Sequence, residues 1–510
     1  MKSTRVALLA ALGMTLTSVS VYSLTPPGGF GSGVARASGV ETVPGAEQVP
    51  DKTEVAAAQT EISRFTDGKT LTVEGRVGNA KIARTGSGET FVMLEVKAAE
   101  GVARANSAPI NLSLVIDRSG SMKGTRIRNA ISAAQAAVDR LNDGDVVSVV
   151  TFDTQTQVVV PVTTIQPGAR ERVNAAIRGI GLGGDTCISC GIEEGMRLLA
   201  QTSDRVNRII LLSDGDANHG VRDVPGFRGI AQRAQGRGVS VTTIGVDVDF
   251  NEKIMTAIAQ DSNGRHYFVA DDSGLRRVFE EEAQSLTRTV ASNTEVAIEL
   301  APGVELDRVY DRSFRRAGNQ ILVPIGTVAG SDVPSVLLKV RVPHDREGAE
   351  AVASVELRYR DLTTGADARC GGKLGLEVVG SPSQAGALDA VVSGRVQRSE
   401  TAGALKEAND LFEQGKGDEA RRRLTAREEA LRAVATLAHG AAPATKAREV
   451  DKDFAGQIAA LDDANANFKP AFATPAAPGA AGPPAPPPQA TRGGKSAVKQ
   501  NQARAMDMGF

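Results

Sequence analysis

Three short stretches of the chain carry residues that bind hard cations. Asp117-Arg118-Ser119-Gly120-Ser121 sets a carboxylate and two hydroxyls at alternate positions, with Gly120 permitting the tight turn between them. Gly183-Gly184-Asp185-Thr186 adds a hydroxyl, and Ser213-Asp214-Gly215-Asp216 adds a carboxylate. Oxygen donors of these types suit Mg²⁺ or Mn²⁺ rather than a soft metal. Asp117 and Asp214 together offset one divalent charge, and hydroxyls and waters complete an octahedron. So few charged ligands leave the metal electrophilic, and an open position then favours an anionic oxygen from outside.

Stretches this far apart meet only if the fold brings their loops together. Asp117 ends an apolar run, Ile110–Asp117, and precedes a segment in which Ile127, Ala130, Ile131, Ala134, Val138 and Leu141 recur at helical spacing. Further apolar runs at Val146–Phe152, Val206–Ser213, Ser240–Val246 and Arg265–Val269 read as strands. They alternate with helical stretches at Gly124–Asn142, Ala169–Arg178, Ile188–Ala200, Phe227–Gly236, Glu252–Asp261 and Leu275–Arg288. This pattern predicts a doubly wound, mainly parallel sheet covered on both faces, with Gln157–Val162 as an antiparallel edge. Ligands bind beyond the carboxyl ends of such strands, which is where Asp117 and Asp214 fall.

On either side the pattern changes to short strands: Leu71–Val77 and Phe91–Val96 before, and six runs between Thr294 and Val379 after. The expected architecture is the α/β unit (110–289) inserted in one β-sandwich frame, built from residues 67–109 and 290–380. A helical region follows (381–470), with a turn at Gly415-Lys416-Gly417-Asp418. The Ala/Pro/Gly-rich end, 471–510, reads as an extended, disordered tail.

At its three oxygen-bearing loops the sequence resembles the von Willebrand factor type A (VWA) domain. The metal-ion-dependent adhesion site (MIDAS) of that family has an Asp-x-Ser-x-Ser loop, a Thr from a second loop and an Asp from a third. The resemblance assigns Asp117, Ser119, Ser121, Thr186 and Asp214 as ligands of Mg²⁺ or Mn²⁺. It implies binding of a protein partner through that partner's acidic residue. The stretch Asp214-Gly215-Asp216-Ala217-Asn218-His219-Gly220-Val221 is similar to a bacterial exported subgroup.

The amino-terminal residues read as an export signal, 1–37: Lys2 and Arg5, an apolar run from Val6 to Val21, and small residues at Ala35-Arg36-Ala37. An uncleaved anchor is the rival reading; no cysteine follows the run, which excludes a lipoprotein anchor. Residues 38–66 read as a polar linker. Export places the chain in the periplasm, cell envelope or medium. Cys187 and Cys190 then read as a local disulfide, or as a redox latch on the Thr186 loop; Cys370 pairing with either is the alternative.

A net charge of −1 gives no electrostatic footprint for nucleic acid, and the absence of tryptophan with only 4% aromatic residues argues against a stacking platform. No small-molecule substrate is evident. No catalytic residues are assigned: Ser119 and Ser121 lack a His base, and the carboxylates are committed to metal. His219, Asp185 and Asp216 read as solvated loop residues. The rival functions are a structural envelope assembly factor with a non-essential metal site, and a hydrolase using metal-bound water.

Overall fold

The computed structural model describes residues 62–99, 101, 109–202, 205–270, 273–468 and 491–509. The export-signal reading and nearly all of the linker reading lie outside the described residues. Two of the three sheets form the frame, and the third forms the α/β unit.

The chain enters the frame through β1 (Arg64–Gly68), β2 (Leu71–Val77), β3 (Lys81–Ala83) and β4 (Glu89–Ala98). The α/β unit then runs β5 (Ile110–Asp117), α1 (Thr125–Asp139), β6 (Val146–Phe152), β7 (Thr156–Thr164), α2 (Ala169–Arg178), α3 (Ile188–Leu199), β8 (Val206–Ser213), α4 (Val224–Gly236), β9 (Val239–Val246), α5 (Glu252–Asp261), β10 (His266–Val269) and α6 (Ser273–Leu286). The frame resumes with β11 (Thr289–Leu300), β12 (Glu305–Val309), β13 (Arg315–Ala317), β14 (Gln320–Ala329), β15 (Ser335–Arg341), β16 (Gly348–Asp361) and β17 (Ala366–Val379). Four helices follow: α7 (Ala390–Glu413), α8 (Gly417–Ala441), α9 (Ala447–Phe468) and α10 (Arg492–Gly509).

The central sheet has the order β10-β9-β8-β5-β6-β7, parallel throughout except for the antiparallel edge strand β7. Every residue of β5, β6 and β9 is buried because helices cover both faces. Alternation along β5 divides the core: Leu112, Leu114 and Ile116 pack with α1 and α6, whereas Val115 packs with α3, α4 and α5. The helix α3 lies close on the sheet because Gly191 and Gly195 have no side chains. A Cβ at Gly191 would come within 2.7 Å of Phe152 and 2.8 Å of Val115. That close approach sets the amino-terminal end of α3 against the sheet, with Thr186 two residues ahead of it.

The frame is a sandwich of two sheets, ordered β1-β2-β4-β15-β12 and β13-β14-β11-β16-β17-β3, sharing one hydrophobic core. Strands from before and after the α/β unit are neighbours: β4 pairs with β15, and β3 with β17. The chain thus leaves the sandwich after β4 and returns to it at β11.

The structure departs from the sequence reading in two respects. Strands β1, β3 and β13 were not legible, being short or polar. Residues 492–509, read as part of a disordered tail, form α10, which buries Ala497, Val498, Ala505 and Met506. The composition stressed proline and basic residues and hid the spacing of those apolar side chains. Residues 469–490 lie outside the described residues. Among the described residues, no helix is long and apolar enough to cross a membrane.

Candidate metal centre

The parallel register of β5 and β8, with Ile116 opposite Leu212, carries Asp117 and Asp214 to the same end of adjacent strands. After Asp117 the chain turns through a single 3₁₀ turn, Gly120–Met122, before α1. The Thr186 loop is laced to both neighbours by backbone hydrogen bonds. Gly120 N donates to Gly184 O at 3.1 Å and Gly183 N to Arg118 O at 2.7 Å; Asn218 N donates to Thr186 O at 3.1 Å. Asn218 Oδ1 accepts from Thr186 N at 2.7 Å. The structure thus gathers all five residues named as ligands into one loop cluster.

Four of them, Asp117, Ser119, Ser121 and Asp214, are joined by hydrogen bonds, directly or through the Ser119 amide. Asp117 Oδ1 accepts from Ser119 N at 2.8 Å, and Asp117 Oδ2 accepts from the Ser213 hydroxyl at 2.6 Å. Ser119 Oγ lies 3.0 Å from Ser121 Oγ, and Ser121 Oγ donates to Asp214 Oδ1 at 2.7 Å. Thr186 stands across from them. A Cβ on Gly215 would sit 3.5 Å from Ser121 Oγ and 3.9 Å from Thr186 Oγ1, so the absent side chain leaves space between those hydroxyls.

Asp117 and Asp214 are both fully buried. Burial pushes the Asp117 carboxyl up to about 6 against the donors Ser119 and Ser213, and the neighbouring Asp214 charge pushes the same way. Burial also raises Asp214, opposed by Ser121 and Arg126. Two carboxylates shut away from water beside each other are costly as anions, and a bound cation relieves that cost. Hydroxyl and carboxylate oxygens are the donors a small hard cation takes, so these residues fit Mg²⁺ or Mn²⁺. Among the described residues no group of three or more His, Cys, Asp or Glu side chains gathers as a metal site. The donor set here is two carboxylates and three hydroxyls.

Four supporting residues were not identified from the sequence. Ser213 closes the apolar run Val206–Ser213, which by itself predicts only a strand end there. Asp153, just beyond β6, pairs with Arg118 at 2.8 Å, and its carbonyl accepts from Cys187 N at 2.9 Å. Arg126, on the first turn of α1, donates to Asp214 Oδ2 at 2.8 Å and to Ser121 O at 2.9 Å, and pairs with Asp247. No local motif marks any of the last three, Asp153, Arg126 and Asp247.

Cys187 and Cys190 are disulfide-bonded directly behind Thr186, and Cys370 is a free, half-buried thiol on β17. Asp185 and Asp216 are exposed. His219 is exposed, and its backbone N–H donates to Thr186 O at 3.2 Å.

Residues 111–281 match the model of the von Willebrand factor type A domain. By that match residues 111–281 are a VWA domain within a longer chain, and VWA domains typically serve protein–protein interaction rather than catalysis. Among curated proteins the chain is similar to an uncharacterized protein of Synechocystis sp., 28% identical over 268 residues, which cover 50% of this chain and 63% of that one. The uncharacterized protein YfbK of Escherichia coli is 29% identical over 196 residues, covering 38% of this chain and 34% of that one. The chain thus spans less than two thirds of the length of either relative. A solved VWA protein from Catenulispora acidiphila superposes with a TM-score of 0.63 at 18% identity, covering 81% of this chain and 92% of that one. That likeness shows a common fold extending well beyond the VWA domain.

Proposed function

We propose that this chain is an exported binding protein whose VWA domain holds Mg²⁺, or Mn²⁺, on Asp117, Ser119, Ser121, Thr186 and Asp214. The single observation that carries this reading is the pair of fully buried carboxylates, Asp117 and Asp214, beside a space that Gly215 leaves open. The ion, when bound, supplies an electrophilic position for a carboxylate oxygen of a protein partner. The chain's own residues do the rest. Ser213 and the Ser119 amide hold Asp117 in one orientation. Ser121 holds Asp214. The disulfide behind Thr186 limits the movement of its loop. A disulfide also suits an exported protein, because thiols stay reduced in the cytosol.

A second reading has its own support. The Arg126 guanidinium already balances Asp214, so the cluster is partly neutralised by a residue of the chain itself. That favours an envelope assembly factor in which the metal site is not essential.

Capture of envelope proteins by the chain, in Mg²⁺ and in EDTA, separates the two. Metal-bridged binding requires a partner retained in Mg²⁺, lost in EDTA and lost by Asp117→Ala. Equal retention under all three conditions supports the assembly factor and moves the function off the site.

A further inference from the structure

The Arg126 side chain connects the candidate metal centre to a distant helix. Its Nη1 donates to Asp214 Oδ2 at 2.8 Å, and its Nη2 pairs with Asp247, just beyond β9. Asp247 Oδ1 in turn accepts from Arg492 Nη2 at 2.6 Å, on the first residue of α10. Asp214, Arg126, Asp247 and Arg492 therefore form a row of alternating charges, each shared between its neighbours.

The two ends of α10 are held differently. Beyond its first turns, Val498 O accepts from Asn409 at 3.0 Å and Gly509 O from Arg395 at 2.9 Å, and four apolar side chains are buried. The first turn carries two ion pairs of exposed side chains, Arg492 being 70% exposed and Lys495, 3.3 Å from Asp249, 51% exposed, whereas Gly494 and, a turn later, Lys499 on Glu252 are buried. Lys495 also lines a cavity of about 460 Å³ together with Asp249 and Asp216, the latter two residues from Asp214. The weakly held end of α10 thus lies against the loops of the site.

We propose that the amino-terminal turn of α10 restrains the metal centre through Arg126, an inference that rests on the metal-binding reading above. With Arg492 on Asp247, the Arg126 charge is left to Asp214, where it competes with a cation for the carboxylate. A cation on Asp214 repels Arg126 toward Asp247 and so weakens the hold of Asp247 on Arg492. Two binding events that oppose each other do so by the same factor in both directions. Docking of α10 therefore lowers cation affinity, and cation binding loosens the first turn of α10. Arg126 is a positioning residue in this scheme.

The test uses the full chain, calorimetric titration with Mg²⁺, and amide hydrogen exchange of the peptide 491–500. Arg492→Gln is expected to bind Mg²⁺ about threefold to tenfold more tightly, the range for one charge screened at a partly exposed site. In the wild type, Mg²⁺ raises exchange in 491–500; in Arg126→Gln it does not. Without metal, Arg126→Gln slows that exchange, because Asp247 is left to Arg492 alone. Arg126→Lys restores the wild-type direction. If the wild type binds Mg²⁺ but Arg492→Gln leaves its affinity unchanged, or exchange ignores Mg²⁺, the coupling is wrong while the metal reading stands. If the wild type takes up no Mg²⁺, both fall together.

Discussion

The Ser213 hydroxyl donates to Asp117 Oδ2 at 2.6 Å, tying the end of β8 to the end of β5. It solvates one face of a carboxylate that water does not reach. Ser213→Ala removes the donor and leaves the anion, which costs about 1–3 kcal/mol for a buried charged acceptor. Urea unfolding in EDTA is expected to show that loss. If the proposed site takes up Mg²⁺, the difference from wild type is expected to shrink in saturating Mg²⁺, because the cation would take over the role of the hydroxyl. An equal loss in both media would mean that no cation reaches Asp117.

Gly183 answers to packing rather than to backbone freedom. A Cβ there would lie 1.8 Å from Asp153 Oδ2 and 2.8 Å from Asp153 Cβ, and Asp153 is fixed by Arg118 and by the Gln155 amide. Gly183→Ala must push the Thr186 loop away. The expected cost is about 1–3 kcal/mol of stability, as for other overpacked sites, with weaker Mg²⁺ binding. At Gly184 the clash is with one rotatable atom, Thr154 Oγ1 at 2.7 Å, so Gly184→Ala is expected to be milder. Thermal unfolding of the two variants, with and without Mg²⁺, gives the comparison.

The Cys187–Cys190 bridge closes a very short loop, for which the chain-entropy model gives about 2 kcal/mol. Cys187→Ser with Cys190→Ser is expected to lose up to that amount. It is also expected to weaken Mg²⁺ binding, since Thr186 is the next residue. Cys370→Ser, which leaves the bridge intact, should change neither quantity. A doubly substituted protein that binds Mg²⁺ as tightly as wild type would show the bridge to be unrelated to the site.

His266 supplies a pH dependence away from the loops of the proposed metal centre. It is fully buried, its Nδ1 lies 2.8 Å from Thr243 Oγ1, and burial lowers it from 6.5 to about 4. Glu252 faces it and favours the charged form; Lys499 opposes that form. Between those two pH values the unfolded chain binds the extra proton and the folded chain does not. Stability from this group is complete above pH 6.5 and is lost as pH falls toward 4. His266→Gln should therefore lose about 2 kcal/mol less than wild type between pH 7 and pH 4.5. Matched denaturant titrations at the two pH values measure the difference.

The sequence alone determined the α/β unit closely. Strands β5, β6 and β8 fall at the bounds the apolar runs set, because a strand covered on both faces is mainly apolar and ends where the run ends. The Asp-x-Ser-x-Ser loop, Thr186 and Asp214 are singled out by their resemblance to the VWA motif, and the apolar runs place each on a turn beside a strand or helix.

What surrounds those residues was decided by tertiary structure. Arg126, Asp153 and Asp247 are ordinary surface types in the sequence, and only the meeting of four loops places them against Asp214 and the Thr186 turn. The docking of α10 was hidden in the same way. Its few apolar residues bury only because α7, α8 and α9 share a core with them, and its first basic residue, Arg492, finds its partner on a loop 245 residues earlier. Local periodicity reports how an element covers the core beneath it. Charge pairs between distant segments leave no local pattern, since any exposed Arg or Asp satisfies the chain equally until the fold brings the two together.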